Sequence, residues 1–175
     1  MTRMKTYVTP HTRSSALYLR TIVFGINDSL VSTVGFLAGI SVAGVPRATI
    51  IITGLIYALV EAFSMAMGDF LSEESAEEYI SESSVNNRPS IIAAIIMFLS
   101  SVLAAIVPLV PYLLFTGAMA LLVSACASIL GLFIVGMLSA RFSHLPIIWR
   151  GVRMALLGGA AIVIGVVVGS LMPVV

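Results

Sequence analysis

Two consecutive stretches decide the fold: FGINDSLVSTVGFLAGISVAG, Phe24 to Gly44, and ATIIITGLIYALVEAFSMAMGDFLSEE, Ala48 to Glu74. Both are apolar over the length of a membrane helix, and both carry acids where such a helix ordinarily has none: Asp28 in the first, Glu61 and Asp69 in the second. A carboxylate at the bilayer centre costs ~3 kcal/mol on insertion scales, so it is kept where it is paired, hydrated or ligating something. Three of them on consecutive spans mark a functional site.

The rest of the chain fits a lipid solvent. Hydrophobic residues fill 59% of its 175 positions, charged residues 10%, and the mean hydropathy is +1.12. A soluble domain of this size could not hide that much apolar surface, so the class is an all-α membrane protein. The net charge of +1, with no basic run to follow a phosphate backbone, argues against a nucleic-acid partner. The single cysteine, Cys126, rules out an internal disulfide and, among Ser124, Ala125, Ala127 and Ser128, reads as a small packing residue. His11 and His144 have no acid near them and read as solvated or loop residues. No nucleophile constellation is visible, so neither an enzyme nor a bound cofactor is expected.

Five spans are expected, at about 21–43, 48–71, 91–107, 112–138 and 151–171, forming a domain over residues 21–172 behind a polar tail at 1–20. Residues Pro89 to Ala140 hold no charge and are too long for one crossing, so Pro108 and Pro111 are taken as the turn between spans three and four. Small residues mark packing faces. They are Gly35 and Gly39 in span one, on the face of Asp28 and Ser32; Gly54, Ala58, Ala62 and Ala66 in span two; Gly117, Ser124 and Gly131 in span four; and Ala161, Gly165 and Gly169 in span five. Beside the span-two stripe, Glu61, Met65 and Asp69 repeat every fourth residue as a ligand-capable stripe. Met65 reads either as a ligand or as packing, and Met67 as packing.

Residues 72–88 extend span two with Glu73, Glu74, Glu77, Glu78 and Glu82 at i, i+4 intervals. This is either a solvated acidic face or a surface that concentrates divalent cations at a pore mouth. The tail and the loops after spans two and four hold four, one and three Lys or Arg residues, against Arg47 alone on the other side. The positive-inside rule then puts the N-terminus and the acidic extension in the cytoplasm and the C-terminus across the membrane.

The N-D element at Asn27 and Asp28, followed by SMAMGDFLS at Ser64 to Ser72, resembles the vacuolar iron transporter family. The resemblance spans the five-helix layout and is specific in the first two spans. It implies a homodimer that moves ferrous iron and related divalent ions out of the cytosol in exchange for protons, along a path at the subunit interface. It also implies that Asp28 and Met65 lie on that path, with Asp69 at the family's usual acid after glycine. Ser29 departs from the family's usual glycine. The segment after span two is too short for the glutamate-rich metal-binding domain of the eukaryotic members. A prokaryotic plasma membrane is accordingly expected in place of a vacuolar one.

The chemistry read from the residues agrees. Carboxylates with a thioether suit a borderline ion such as Fe²⁺, with Mn²⁺, Co²⁺ or Zn²⁺ as related cargoes, better than Mg²⁺ or Ca²⁺. Two rival readings use the same acids: a proton or monovalent-cation carrier in which Met65 only packs, and a non-transporting scaffold whose acids pair with a partner's basic residues. No basic residue well inside a span is visible to pair them within the chain.

Overall fold

Leu30, Val34 and Leu37 repeat along one face of the first span, and they are 2%, 1% and 0% exposed. The helix that carries them is the one around which the other four assemble in the computed structural model, which describes residues 10–81, 88–143 and 146–173. Five helices follow one another: α1 (Pro10–Val42), α2 (Arg47–Ser81), α3 (Arg88–Leu114), α4 (Gly117–Ser143) and α5 (Ile147–Leu171). All five are long and apolar enough to cross a membrane. Helix α1 packs against each of the others, whereas α2 rests mainly on α3 and α1.

Helix α1 is already formed at Pro10, the first described residue, so residues 10–20 of the expected polar tail are helical, and nothing between Pro10 and Leu17 breaks the helix. Helix α1 ends in a left-handed glycine, Gly44, at φ 84°. Around it Val45 N donates to Ile40 O at 3.2 Å and Gly44 N to Ser41 O at 3.3 Å, the paired bonds of a Schellman stop.

Prolines 108 and 111 do not turn the chain. They lie inside α3, and the turn comes at Phe115 and Thr116, before Gly117 at φ 58°. Proline is a weak stop in a membrane helix when neighbours satisfy the backbone groups it disturbs. The carbonyls that Pro108 and Pro111 leave without an N–H are those four residues earlier, of Ala104 and Val107; Ser124 Oγ donates to Pro108 O at 2.7 Å, which ties α4 to α3 at this point. Arg47 caps the end of α3, its Nε donating to Tyr112 O at 2.8 Å and its Nη2 to Leu113 O. Gly117 is therefore a turn residue, and Cys126 lies exposed on the face of α4 opposite the buried Ser124 and Ser128. Two residues along a helix turn a side chain by about 200°, which is why the cysteine does not share their packing.

The glycine pair of α1 is covered from within the chain. A methyl on Gly35 would meet Ala161 O at 3.0 Å and one on Gly39 would meet Gly165 O at 3.0 Å, while methyls on Gly165 and Gly169 would collide with the Gly35 and Gly39 carbonyls. The Gly35–Gly39 face therefore packs on a helix of its own chain. The close-packing signal was sound, but its partner is α5. The small-residue stripe of α2 is likewise buried, with Ala62 0% exposed and Ala66 packed beside Ala94 and Met97 of α3.

Candidate functional site

The short turn after α1 makes α2 its antiparallel neighbour, so residues four apart on α2 meet residues about four apart on α1. The result is a ladder. At one end Thr21 Oγ1 donates to Asp69 Oδ2 at 3.3 Å, and Arg20 Nη2 lies 3.9 Å from Asp69 Oδ1. The Asp69 side chain is 6% exposed, so the charge is enclosed and paired. The expectation of acids without a base in the chain is corrected here: Arg20, taken as tail, pairs with Asp69.

One turn further along α2, the half-buried Met65 meets α3. Ser101 Oγ lies 3.9 Å from the Met65 sulfur and 3.4 Å from Gly25 O, to which it donates. Ser29 Oγ returns the link by donating to Ser101 O at 2.8 Å. These bonds fix the spacing of α1 and α3 at the level of the thioether, with Ser29 fully buried. Met67 instead faces an apolar groove with Phe63, Ile95 and Leu99, as a packing residue would.

At the next rung Glu61 stands near Asp28, close enough for their charges to act on one another. Tyr57 OH donates to Glu61 Oε1 at 3.1 Å, and Ser32, whose hydroxyl donates to Ser29 O at 3.4 Å, lines the same cleft as Tyr57. The other oxygen, Glu61 Oε2, is buried with no hydrogen-bond partner. A buried orphan acceptor costs about 1–3 kcal/mol, more when charged, so this oxygen wants a proton or a cation. The Tyr57 ring is held by stacking on Phe36, centroids 4.5 Å apart and planes 10° from parallel.

The structure thus brings Asp28 and Glu61 together, sets Met65 one turn away and places Asp69 at the end of the row. Tyr57, Ser32 and Ser101 complete the polar lining. Tyr57 could have been found, since it lies four residues before Glu61 on the same stripe; Ser101 could not, because only tertiary packing brings it there. Helix α2 carries Glu73, Glu74, Glu77 and Glu78 beyond the ladder, and Glu82 lies outside the described residues. Among the described residues, no three of His, Cys, Asp and Glu gather into a group able to hold a metal ion.

The family model described as the VIT family matches residues 19–91 and 80–170. The chain belongs to the VIT family. The matched segments run from the first rung of the ladder to the end of α5, so the vacuolar iron transporter resemblance extends over all five spans. VIT family members are transporters, and the family points to metal-ion transport across a membrane. No curated protein matches the chain.

Proposed function

We propose that this VIT family member exports divalent transition-metal ions, Fe²⁺ and Mn²⁺ foremost, from the cytosol in exchange for protons, using Asp28, Glu61, Met65 and Asp69 as ligands along its path. What supports the reading is the ladder itself: a carboxylate pair, a thioether and an enclosed carboxylate succeed one another along α2, the carboxylates toward α1 and the thioether toward α3. Three acids and a sulfur donor in a row suit an ion that sheds water stepwise and accepts soft ligands.

One protomer supplies too few ligands to strip such an ion. A homodimer that sets two Asp28–Glu61 faces against each other doubles them, and it covers acids that would otherwise cost ~3 kcal/mol each in lipid. The N-terminus and the acidic extension lie in the cytoplasm on this reading, and Glu73, Glu74, Glu77, Glu78 and Glu82 concentrate cations at the entrance. The membrane is the plasma membrane of a prokaryote.

Purified protein reconstituted alone into liposomes tests the proposal. Saturable Fe²⁺ or Mn²⁺ flux that Met65→Leu lowers supports it. Proton or Na⁺ flux indifferent to Met65 makes the protein a carrier of those ions, and no flux at all leaves a scaffold.

A further inference from the structure

Beside the ladder, at Asn27, a cleft of about 570 Å³ opens between α1 and the start of α5. Asn27, Trp149, Arg150, Arg153, Met154 and Leu157 line it. Its volume falls within the ~300–1,000 Å³ of small-molecule sites. Its chemistry is graded along the membrane normal. Trp149 and Arg150 belong to the first turn of α5, where a span leaves the lipid, while Met154 and Leu157 lie deeper and are apolar. Among the described residues, neither Arg150 nor Arg153 has a carboxylate within ion-pair distance, and every acid of the chain falls between Asp28 and Glu82. Opposite them the Asn27 side-chain oxygen is buried without a hydrogen-bond partner.

We infer that this cleft binds the phosphodiester headgroup of an anionic membrane lipid, with phosphatidylglycerol the best-matched chemistry. Two arginines at a helix start recognise a phosphate through paired N–H donors. A glycerol headgroup adds hydroxyl donors for the orphaned Asn27 oxygen, which a choline headgroup lacks. The acyl chain then runs down the Met154–Leu157 wall, and Trp149 sits at headgroup level, as interfacial tryptophans do. Basic pockets between membrane helices are the usual form of such sites. This site is separate from the proposed ion path: it shares no residue with the ladder, and Asn27 lies about 100° around α1 from Asp28.

Trp149 is the chain's one tryptophan and lines the cleft, so its fluorescence reports occupancy directly. The test titrates purified protein in detergent with phosphatidylglycerol or phosphatidylcholine carrying brominated acyl chains, which quench tryptophan on contact. Saturable quenching by the glycerol lipid at a mole fraction on the order of tenfold lower than for the choline lipid is expected. The double variant Arg150→Gln, Arg153→Gln should lose that preference, and Arg150→Lys, Arg153→Lys should keep part of it, with circular dichroism verifying that both remain helical. Displacement of the quencher by millimolar inorganic phosphate would reassign the site from a lipid to a free phosphate. Equal quenching by both lipids, or a preference unchanged in the glutamine variant, overturns the inference.

Discussion

Tyr57 donates its hydroxyl to Glu61 Oε1 at 3.1 Å from one helical turn away, while the partner oxygen of that carboxylate is buried and unbonded. The tyrosine holds one oxygen and thereby aims the other. Removing only the hydroxyl, in Tyr57→Phe, keeps the stack on Phe36 and frees the carboxylate to turn. A hydrogen bond to a charged group contributes about 1.5–3 kcal/mol, so the apparent KM for metal should rise roughly tenfold or more with little change in thermal stability. Transport kinetics in liposomes beside a thermal melt would check both. An unchanged KM would mean that the tyrosine only packs.

The ladder ranks its own members. Asp28→Asn and Met65→Leu each remove a donor at nearly constant volume, so metal flux should fall by at least about tenfold while helicity is kept. Asp69→Asn should be milder. Its carboxylate is already paired with Arg20 and Thr21, which compete with a metal ion for its oxygens, so less of the metal's binding depends on it. Radiometal uptake by the three variants would show the order, and an Asp69 variant as impaired as Asp28→Asn would reverse it.

Arg20 gives an independent handle on the same end. With Asp69 enclosed at 6% side-chain exposure, Arg20→Gln leaves a buried charge without its ion partner, a change that costs about 3–5 kcal/mol for fully buried pairs and less here, where Arg20 is 66% exposed. The expected result is a modest loss of stability, recovered in the double variant Arg20→Gln, Asp69→Asn. Failure of the second substitution to restore the melting temperature would show that the pair does not couple.

Glycine substitutions should separate packing from open surface on a single helix. A methyl at Gly165 collides with the Gly35 carbonyl, whereas one at Gly159 meets nothing within 4 Å. Gly165→Ala is therefore expected to destabilise by roughly 1–3 kcal/mol, while Gly159→Ala, which reduces backbone freedom in a helix, should be neutral or stabilising by up to about 1 kcal/mol. Thermal melts of the pair check this. Equal effects would mean that α1 and α5 do not approach this closely.

What could be read from the residues, and what could not, divides along the same physical line. Glu61, Met65 and Asp69 were legible because helical spacing alone puts them on one stripe. The small residues of α1 and α5 announced a close approach, but such motifs do not say which helix approaches, and the pairing of Gly35 with Ala161 and Gly165 had to come from the fold. Pro108 and Pro111 misled because a membrane helix tolerates proline where the helices packed around it allow, and those neighbours cannot be read from the local sequence. Arg20 was hidden by its position at the edge of a basic tail, although a long side chain near the end of an apolar span can carry its charge some way along the helix.

The last prediction concerns coupling. Metal ligation requires ionised carboxylates, so a divalent ion and protons compete for Asp28 and Glu61, and binding one releases the other by linkage. The two acids share a rung with no base between them; Arg20 is committed to Asp69. Exchange of one divalent ion for two protons leaves the charge on that rung unchanged, so the low-dielectric surroundings never hold an uncompensated pair of carboxylates as the site turns from one side to the other. Antiport should therefore be electroneutral or nearly so, and faster when the side receiving metal is acidic. Liposomes loaded with a pH dye and supplied with Fe²⁺ or Mn²⁺ would show internal alkalinisation in step with metal entry when the interior starts acidic. Collapsing the membrane potential with valinomycin and K⁺ should leave the rate unchanged. In a Glu61→Gln protein one exchangeable proton is gone, so metal movement should become sensitive to potential and its proton yield should fall by about half, one of two shared protons being lost. Metal entry with no proton movement in the parent protein would make the path a passive channel, with the acids serving only as selectivity ligands.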